Sequence, residues 1–596
     1  MSLTVLWCDE FVRLDPLQGA ALDDGEDQTA QAPPVRLVAA RGAPASFQLL
    51  VGPVKSGRQA LVACGPLSGP GGARLAPAQG DVFVEWYHRI DGQWWPDALV
   101  PQELAGGSTP ALRKQMGLPG SARFAGFWVD LHVPADARPG VYSGAVTVRS
   151  GREAVRVPVE LAVAAARLPD EPTLDVSFNN YADSISAPWA RVKADPRRFW
   201  GAQYRRLERG VFRCVHDHRA FLHYLPYTHA NYVHGDFAPE LSGEGPTKRV
   251  VDWADWDRHF GPYFDGSAFR GTRRGAVPVR RFWTPLNVSW PADFLKFGSP
   301  GYAAEWRAVG RQMAEHFRRK GWTRTSFDMF PNQKQRFRFV PWDLEEARFL
   351  PDQDVHRYLR TLWAGTFDWP SARPVRFNYT LGTTWTYHID IKSDLAEFID
   401  VFIAGTSGPA WYPEELPRLH RAGRQVWSCT HSGSIVESVR AAAFTPLAMW
   451  MRGLDGFMPS WLTMGGWGGD LWHQVPGKGA NTFLYPGAEL GSEETCPSLR
   501  LKVMRNALQT VDLLQAAAGR LRGGAAEARG RVCRLLGFRM SDWFEKRPAY
   551  VEKKLPKDWV GADFATEEPP VAGWQKVSAA GWRALGRLAL DLAAGR

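Results

Sequence analysis

Thr-Arg-Thr-Ser-Phe-Asp-Met-Phe-Pro-Asn-Gln-Lys (323–334) and, after a short gap, Pro-Trp-Asp-Leu-Glu-Glu-Ala (341–347) decide how this chain is read. Residues 325–330 have the composition of a strand, and Pro331 and Asn332 stop it with a turn. A basic loop carrying Lys334, Arg336 and Arg338 follows. Trp342 then leads into Asp343, Glu345 and Glu346, three carboxylates within four positions. Like charges this close raise one another's proton affinity, so one carboxyl can hold its proton near neutral pH. A protonated acid beside an ionised carboxylate is what cleavage of a glycosidic bond requires. The plainer alternative is a solvated acidic turn ahead of a helix capped at Asp352.

Outward from this stretch, strand-like and helix-like segments alternate. Residues 303–319 precede it as a helix, with Trp306, Val309, Met313 and Phe317 at helical spacing and Gly321 at the stop. A second helix follows it, with Val355, Tyr358, Leu359 and Leu362 on one face. Strands are expected at 375–380, 401–404, 425–429 and 456–461. Helices are expected at 395–398, 414–421, 436–451 and 498–514. Upstream, 199–210 reads as a helix stopped by Gly210, and 211–215 as a strand. Repeated β-then-α over about 300 residues predicts a (β/α)8 TIM-like barrel across 173–515.

Residues 1–168 read differently. Short β runs at 35–38, 45–51, 82–87, 127–133, 145–148 and 155–163 are punctuated by Gly, Pro and Asp, which predicts an N-terminal β-sandwich. Leu168-Pro-Asp-Glu-Pro172 is the linker. Residues 516–596 are expected to form a helical C-terminal extension, with an amphipathic helix from Trp582 to Ala593.

The chain has 596 residues, 45% hydrophobic and 22% charged, a composition expected of a globular multidomain protein. Its net charge of +10 is scattered, which argues against a nucleic-acid stripe. None of the six cysteines form a C-x-x-C pair, so no zinc site is expected from them, and free thiols favour a reducing compartment. No signal-peptide pattern and no apolar run of membrane-spanning length is seen. The expectation is a cytoplasmic protein, or an exported one whose signal peptide has been removed, with no membrane partner. No G-x-G-x-x-G opens a helix after a strand and no P-loop occurs, so no nucleotide cofactor is expected.

In a barrel, chemistry sits at the carboxyl ends of the strands. That rule selects Asn332, Lys334, Trp342 and the carboxylates after the first-quoted strand. It selects Trp385 and Tyr387 after 375–380, His431 after 425–429, and Trp461, Trp467 and Trp472 after 456–461. The 27 tryptophans fit a cleft for an oligosaccharide or polysaccharide, whose C–H faces pack on flat rings. Trp461 could equally be core, and a lone His such as His431 is more often structural. Trp467 lies in Met-Gly-Gly-Trp-Gly-Gly, a loop composition that favours binding. His216, His218, His223, His229 and His234 cluster without metal-ligand spacing, so no metal is assigned to them.

Further segments carry a family resemblance: residues 40–48, 95–101 and 133–144, then Asn332-Gln-Lys334, Pro341 to Glu346, Trp450 to Gly456, Leu484 to Gly487 and Pro497 to Leu501. In their order along most of the chain they resemble the bacterial catalytic-domain family that includes glycoside hydrolase family 123, the β-N-acetylgalactosaminidases. The resemblance implies a sandwich followed by a barrel, and glycosidase activity. The family's catalytic pair is an Asp-Glu dipeptide in Leu-Asp-Glu-Pro; here Leu344, Glu345, Glu346 and Ala347 match it. Carried over, Glu346 is the general acid/base and Glu345 the residue that orients the substrate's 2-acetamido nucleophile. Glu345 is one methylene longer than Asp, and Asp343 is the alternative for either role. The rival reading is a non-catalytic glycan-binding protein on a degenerate glycosidase scaffold.

Overall fold

The computed structural model describes residues 2–23, 32–54, 58–193, 201–225, 237–331, 341–342, 344, 350–367, 375–383, 397, 399–405, 407–430, 432–459, 464, 470–544 and 573–596. Its N-terminal part holds two sheets. One is antiparallel, in the order Thr4–Cys8, Pro44–Gly52, Ala125–His132, Gly80–Ile90 and Gln93–Pro101. The other pairs Val35–Arg41 in parallel with Glu153–Arg167, which runs antiparallel to Gly140–Ser150. Ala60–Cys64 and Leu67–Ser68 also pair with Gly140–Ser150.

The centre of the molecule is a parallel sheet of eight strands among the described residues. Its order is Phe221–Leu225, Asp175–Tyr181, Gly456–Met458, Gln425–Cys429, Val401–Gly405, Arg376–Thr383, Ser326–Met329 and Arg281–Trp283. The first and last of these lie side by side, so the sheet curls almost into a barrel. Helices Ala202–Asp217, Pro300–Arg319, Leu350–Phe367 and Arg440–Arg452 connect the strands. Phe317, Phe327 and Phe377 show how helix and strand meet: Phe317 lies 4.3 Å from Phe327 and 6.0 Å from Phe377.

A charged group fills the interior. Arg281 is buried on the last strand of the sheet order, and its guanidinium reaches Asp175 at 2.7 Å and Asp328 at 3.0 Å. It also donates to Gln425 and lies 4.8 Å above the Trp427 ring. Asn378 donates to Asp328 at 2.7 Å. Burial alone would weaken this cation, but Asp328 and Asp175 outweigh burial and hold it charged.

The helix Leu499–Ala518 packs beside Arg440–Arg452 and against the N-terminal antiparallel sheet. Ser498 caps it by accepting from the Leu501 N–H. Arg500 pairs with Asp97 at 2.8 Å, and Tyr485 donates to the same carboxylate at 2.6 Å. Lys502 and Arg505 pair with Asp130 at 2.9 and 2.8 Å, and Trp128 donates to Asp130 too. The C-terminal helix Ala579–Ala593 packs on this helix, and Trp582 stacks on Phe11. Among the described residues no helix is long and apolar enough to cross a membrane.

Several expectations are corrected. Residues 211–215 are not a strand: the helix Ala202–Asp217 runs through Gly210, burying Tyr204, Leu207, Val211, Phe212 and Val215 at helical spacing. Tertiary burial outweighs the roughly 1 kcal/mol a mid-helix glycine costs. The strands Asp175–Tyr181, Phe221–Leu225 and Arg281–Trp283 had no counterpart in the reading of the sequence. Asp352 is a buried first-turn residue of the helix Leu350–Phe367, not its cap.

Two outcomes follow from the buried charges. Arg281→Met leaves Asp175 and Asp328 buried without their shared cation, and urea unfolding should show a loss of about 3–5 kcal/mol. The second concerns pH. Burial holds His88 and His356 down to about 4 and, helped by Arg274, His216 to about 2, against an ordinary 6.5. These imidazoles are neutral in the fold and gain protons on unfolding, so their contribution is present above pH 6.5 and lost as pH falls toward 4. Burial raises Glu85 and Glu10 to about 8, with Asp9 adding to the second, against an ordinary 4.5. Their contribution is present below 4.5 and lost as pH rises toward 8. Between 4.5 and 6.5 the three imidazoles oppose the two carboxyls, and above 6.5 the carboxyls act alone. Thermal midpoints measured from pH 5 to 8 should peak near 6.5 and fall on the alkaline side.

Candidate functional site

Because the sheet is parallel, the chain leaves every strand at the same end. The strand Ser326–Met329 buries Phe327 against the helices and turns Asp328 inward to Arg281. Phe330 follows and stacks on Trp283 at 4.4 Å, an aromatic layer above the charged one. Thr380 is fully buried on the neighbouring strand.

Beyond Pro331 the described chain resumes at Pro341 and Trp342. Trp342 is half-buried and rests against Phe297, with ring centres 4.6 Å apart. Phe297 in turn packs on Tyr358 of the helix Leu350–Phe367 at 4.8 Å. Leu344 is fully buried. Its carbonyl lies 2.9 Å from Nε2 of His356, on the same helix. The other ring nitrogen of His356 lies 2.8 Å from the hydroxyl of Tyr379, on the strand Arg376–Thr383. A carbonyl only accepts, so Nε2 carries the hydrogen and donates. Nδ1 of the neutral ring therefore accepts from the Tyr379 hydroxyl. Burial keeps this imidazole neutral, with its pKa lowered to about 4.

Of the residues selected from the sequence for the mouth, Trp342 is described, packed on Phe297. Asn332, Lys334, Asp343, Glu345, Glu346, Trp385, Tyr387, His431, Trp461 and Trp467 lie outside the described residues. In chain order they follow the carboxyl ends of four strands of the parallel sheet: Ser326–Met329, Arg376–Thr383, Gln425–Cys429 and Gly456–Met458. Trp472 does not belong with them. It is buried, donates from Nε1 to the Pro486 carbonyl at 2.9 Å and meets Trp86 edge-on at 4.7 Å, so it is core.

His216 and His218 belong to the packing of the helix Ala202–Asp217. His216 stacks on Phe269 at 3.8 Å and contacts the Val277 carbonyl, and His218 contacts the Cys214 carbonyl. His223, His229 and His234 lie outside the residues whose side chains are described. Among the described residues no group of three His, Cys, Asp or Glu is placed to hold a metal ion.

His356 and Tyr379 were missed by reading the sequence. His356 stands beside Val355 and near Leu359 in a stripe that reads as core, and its core position is real. The signal that would have found it is a buried imidazole six residues into the helix that follows the carboxylates.

No protein-family model matches the chain, and no curated protein matches it in sequence. Among solved structures it is similar to a family 123 glycoside hydrolase from Clostridium perfringens, reported for glycolipid glycan hydrolysis. The similarity covers 99% of each chain, with a TM-score of 0.63 and 13% identity. At that identity the likeness is one of fold, and it extends over both the N-terminal sheets and the barrel-like sheet. A GH10 xylanase with a bacterial Ig-like domain, from termite gut, aligns over 80% of this chain and 99% of its own at 6% identity. Its TM-score of 0.27 adds nothing to the comparison.

Proposed function

We propose that the chain is a glycoside hydrolase that cleaves a glycosidic bond in a bacterial or environmental glycan. Glu346 is its general acid/base and Glu345 its polarising partner, with Asp343 the alternative for either role. The observation that supports this reading is the buried Leu344, whose carbonyl is bonded to His356 on the helix that follows the strand Ser326–Met329. In sequence Leu344 directly precedes Glu345 and Glu346, and in a barrel the segment that follows a strand is where chemistry occurs. The full-length fold likeness to a family 123 glycoside hydrolase supports the scaffold.

In this reading the two N-terminal sheets are a β-sandwich spanning 1–168 that buttresses the barrel of 173–515, and 516–596 is the helical extension. Trp342, Trp385, Trp461 and Trp467 are platforms for sugar rings, with Tyr387, Asn332, Lys334 and His431 as their polar neighbours. The Glu346 carboxyl donates its proton to the glycosidic oxygen as the C–O bond breaks. Water then adds across the anomeric carbon, and its proton returns to Glu346. Glu345 in place of the family's Asp, and Ala347 in place of its Pro, favour the second reading, a glycan-binding protein without turnover.

Glu346→Gln is nearly isosteric and should fold and bind glycan as the parent does. Removing a general acid lowers the rate roughly 10²- to 10⁴-fold, most on poor leaving groups. Steady-state hydrolysis of activated and natural glycosides by parent and variant checks this. Parental rates in the Gln variant would remove Glu346 from the mechanism.

A further inference from the structure

Between the N-terminal strands and the C-terminal helix the fold leaves a cavity of about 180 Å³. Its walls come from the strand Thr4–Cys8 with the turn after it, the strand Val35–Arg41, and the helices Arg440–Arg452, Leu499–Ala518 and Ala579–Ala593. Arg36, Val38 and Arg587 stand exposed at the rim, and Trp7, Ala443, Leu447, Trp582 and Leu585 are buried in the walls. Native interiors are packed to near-crystal density, with few voids larger than a water molecule. A void lined by carbon forfeits the dispersion contacts of its lining, and a guest of matching shape recovers them. An apolar cavity of roughly 150 Å³ holds a benzene ring, so this one has room for a ring with a short substituent.

The cavity has one acidic end. Asp9 and Glu10 both line it. Asp9 is committed to Arg583 on the C-terminal helix. Glu10 makes no ion pair among the described residues, and Arg505, which favours its ionised form from a distance, is already bonded to Asp130. Glu10 keeps part of its surface open, yet burial governs its carboxyl and, with Asp9, raises it to about 8. A side chain that is open and still desolvated faces an enclosed space rather than bulk water. Three aromatic rings share that space, Trp7, Phe11 and Trp582, the last two stacked with centres 6.0 Å apart. A carboxyl and aromatic faces together suit an organic ammonium group, by a charge-assisted hydrogen bond and by attraction to the rings. An anion fits less well, because Arg583 is held by Asp9, and Arg36 by Glu160 at the rim.

We propose that this cavity is a binding site for a small organic cation, an ammonium group on an apolar body, with Glu10 as its counter-ion. The apolar body fills the space against Trp7, Trp582 and Leu585. The site uses none of the residues assigned to hydrolysis and stands independently of that reading. Free Glu10 holds its proton at pH 7 and gives it up when the cation arrives, so binding releases a proton. The charged groups that bear on it are Asp9 beside it and Arg505 on the helix Leu499–Ala518, while Arg583 and Arg440 act on Asp9.

The test is isothermal titration of the full chain at pH 7 with three probes of similar shape: benzylammonium, benzyl alcohol and benzoate. Benzylammonium should bind roughly tenfold or more tightly than the other two, the weight of one charged hydrogen bond. Repeating the titration in buffers of different ionisation enthalpy should show about one proton released per benzylammonium bound. Glu10→Gln should lose both the preference and the proton release, and bind benzyl alcohol as the parent does. Ala443→Leu, which fills the cavity without touching the carboxyl, should weaken all three probes. No binding to the parent, benzylammonium no tighter than benzyl alcohol, tighter binding of benzoate, or parental affinity in Glu10→Gln overturns the proposal. If Glu10→Gln does not fold, parental affinity for benzylammonium in Ala443→Leu overturns it equally.

Discussion

The sheet at the centre of this molecule depends on one guanidinium. Arg281 stands on the last strand of the parallel order, and Asp175 on the last strand but one at the opposite edge. Their ion pair crosses the interior where the hydrogen-bonded ladder has its two ends. Arg281 also reaches Asp328 on the neighbouring strand and Gln425 across the barrel. A buried cation is tolerated only when fully compensated, and here two carboxylates, an amide and an indole face share that task. Arg281, Asp175 and Gln425 are the first residues of their strands. The charge therefore lies toward the amino-terminal end, and aromatic Trp283 and Phe330 cover it. The carboxyl end is left to the loops.

A second set of buried charges does the same work outside the barrel. Asp97 and Asp130 come from the N-terminal antiparallel sheet, and Arg500, Lys502 and Arg505 from the first two turns of the helix Leu499–Ala518. For both carboxylates burial alone would raise the pKa, and the cations overturn that and hold them ionised. Such pairs contribute less to net stability than to fixing one arrangement, since either member alone would be a buried unpaired charge. The antiparallel N-terminal sheet is thus held in one arrangement on this helix. Leu344 is tied to the central sheet by neutral bonds instead, its carbonyl to His356 and His356 to Tyr379 on the strand Arg376–Thr383.

The parts of the fold legible in the sequence were those with an apolar period. The expected helix 303–319 is Pro300–Arg319, and the expected strand 425–429 is Gln425–Cys429. The strand Asp175–Tyr181 reads Asp-Val-Ser-Phe-Asn-Asn-Tyr, and Arg281–Trp283 opens on an arginine. Their inward positions carry the polar filling of the barrel, so hydrophobic pattern could not mark them as strands. Residues 211–215 failed for the reverse reason: Val211, Phe212 and Val215 are β-prone, but three-dimensional packing put them on one face of a helix. Side-chain contacts were not legible. Trp472 was grouped with the mouth because of its chain position, and its indole turned out to be bonded inside the core. His356 was passed over because an imidazole in an apolar stripe looks the same whether it fills space or holds a carbonyl.

The proposed hydrolysis and the rival reading of binding without turnover differ in one observable, release of sugar. The direct measurement is to incubate the parent protein with a panel of chromogenic glycosides that includes 2-acetamido sugars, and with natural polysaccharides. Released aglycone or sugar is read alongside glycan binding by calorimetry. The account predicts release from at least one member of the panel, at a rate well above the uncatalysed one. Tight binding to a glycan with no release from any member of the panel would contradict it and establish a binding protein on a glycosidase fold.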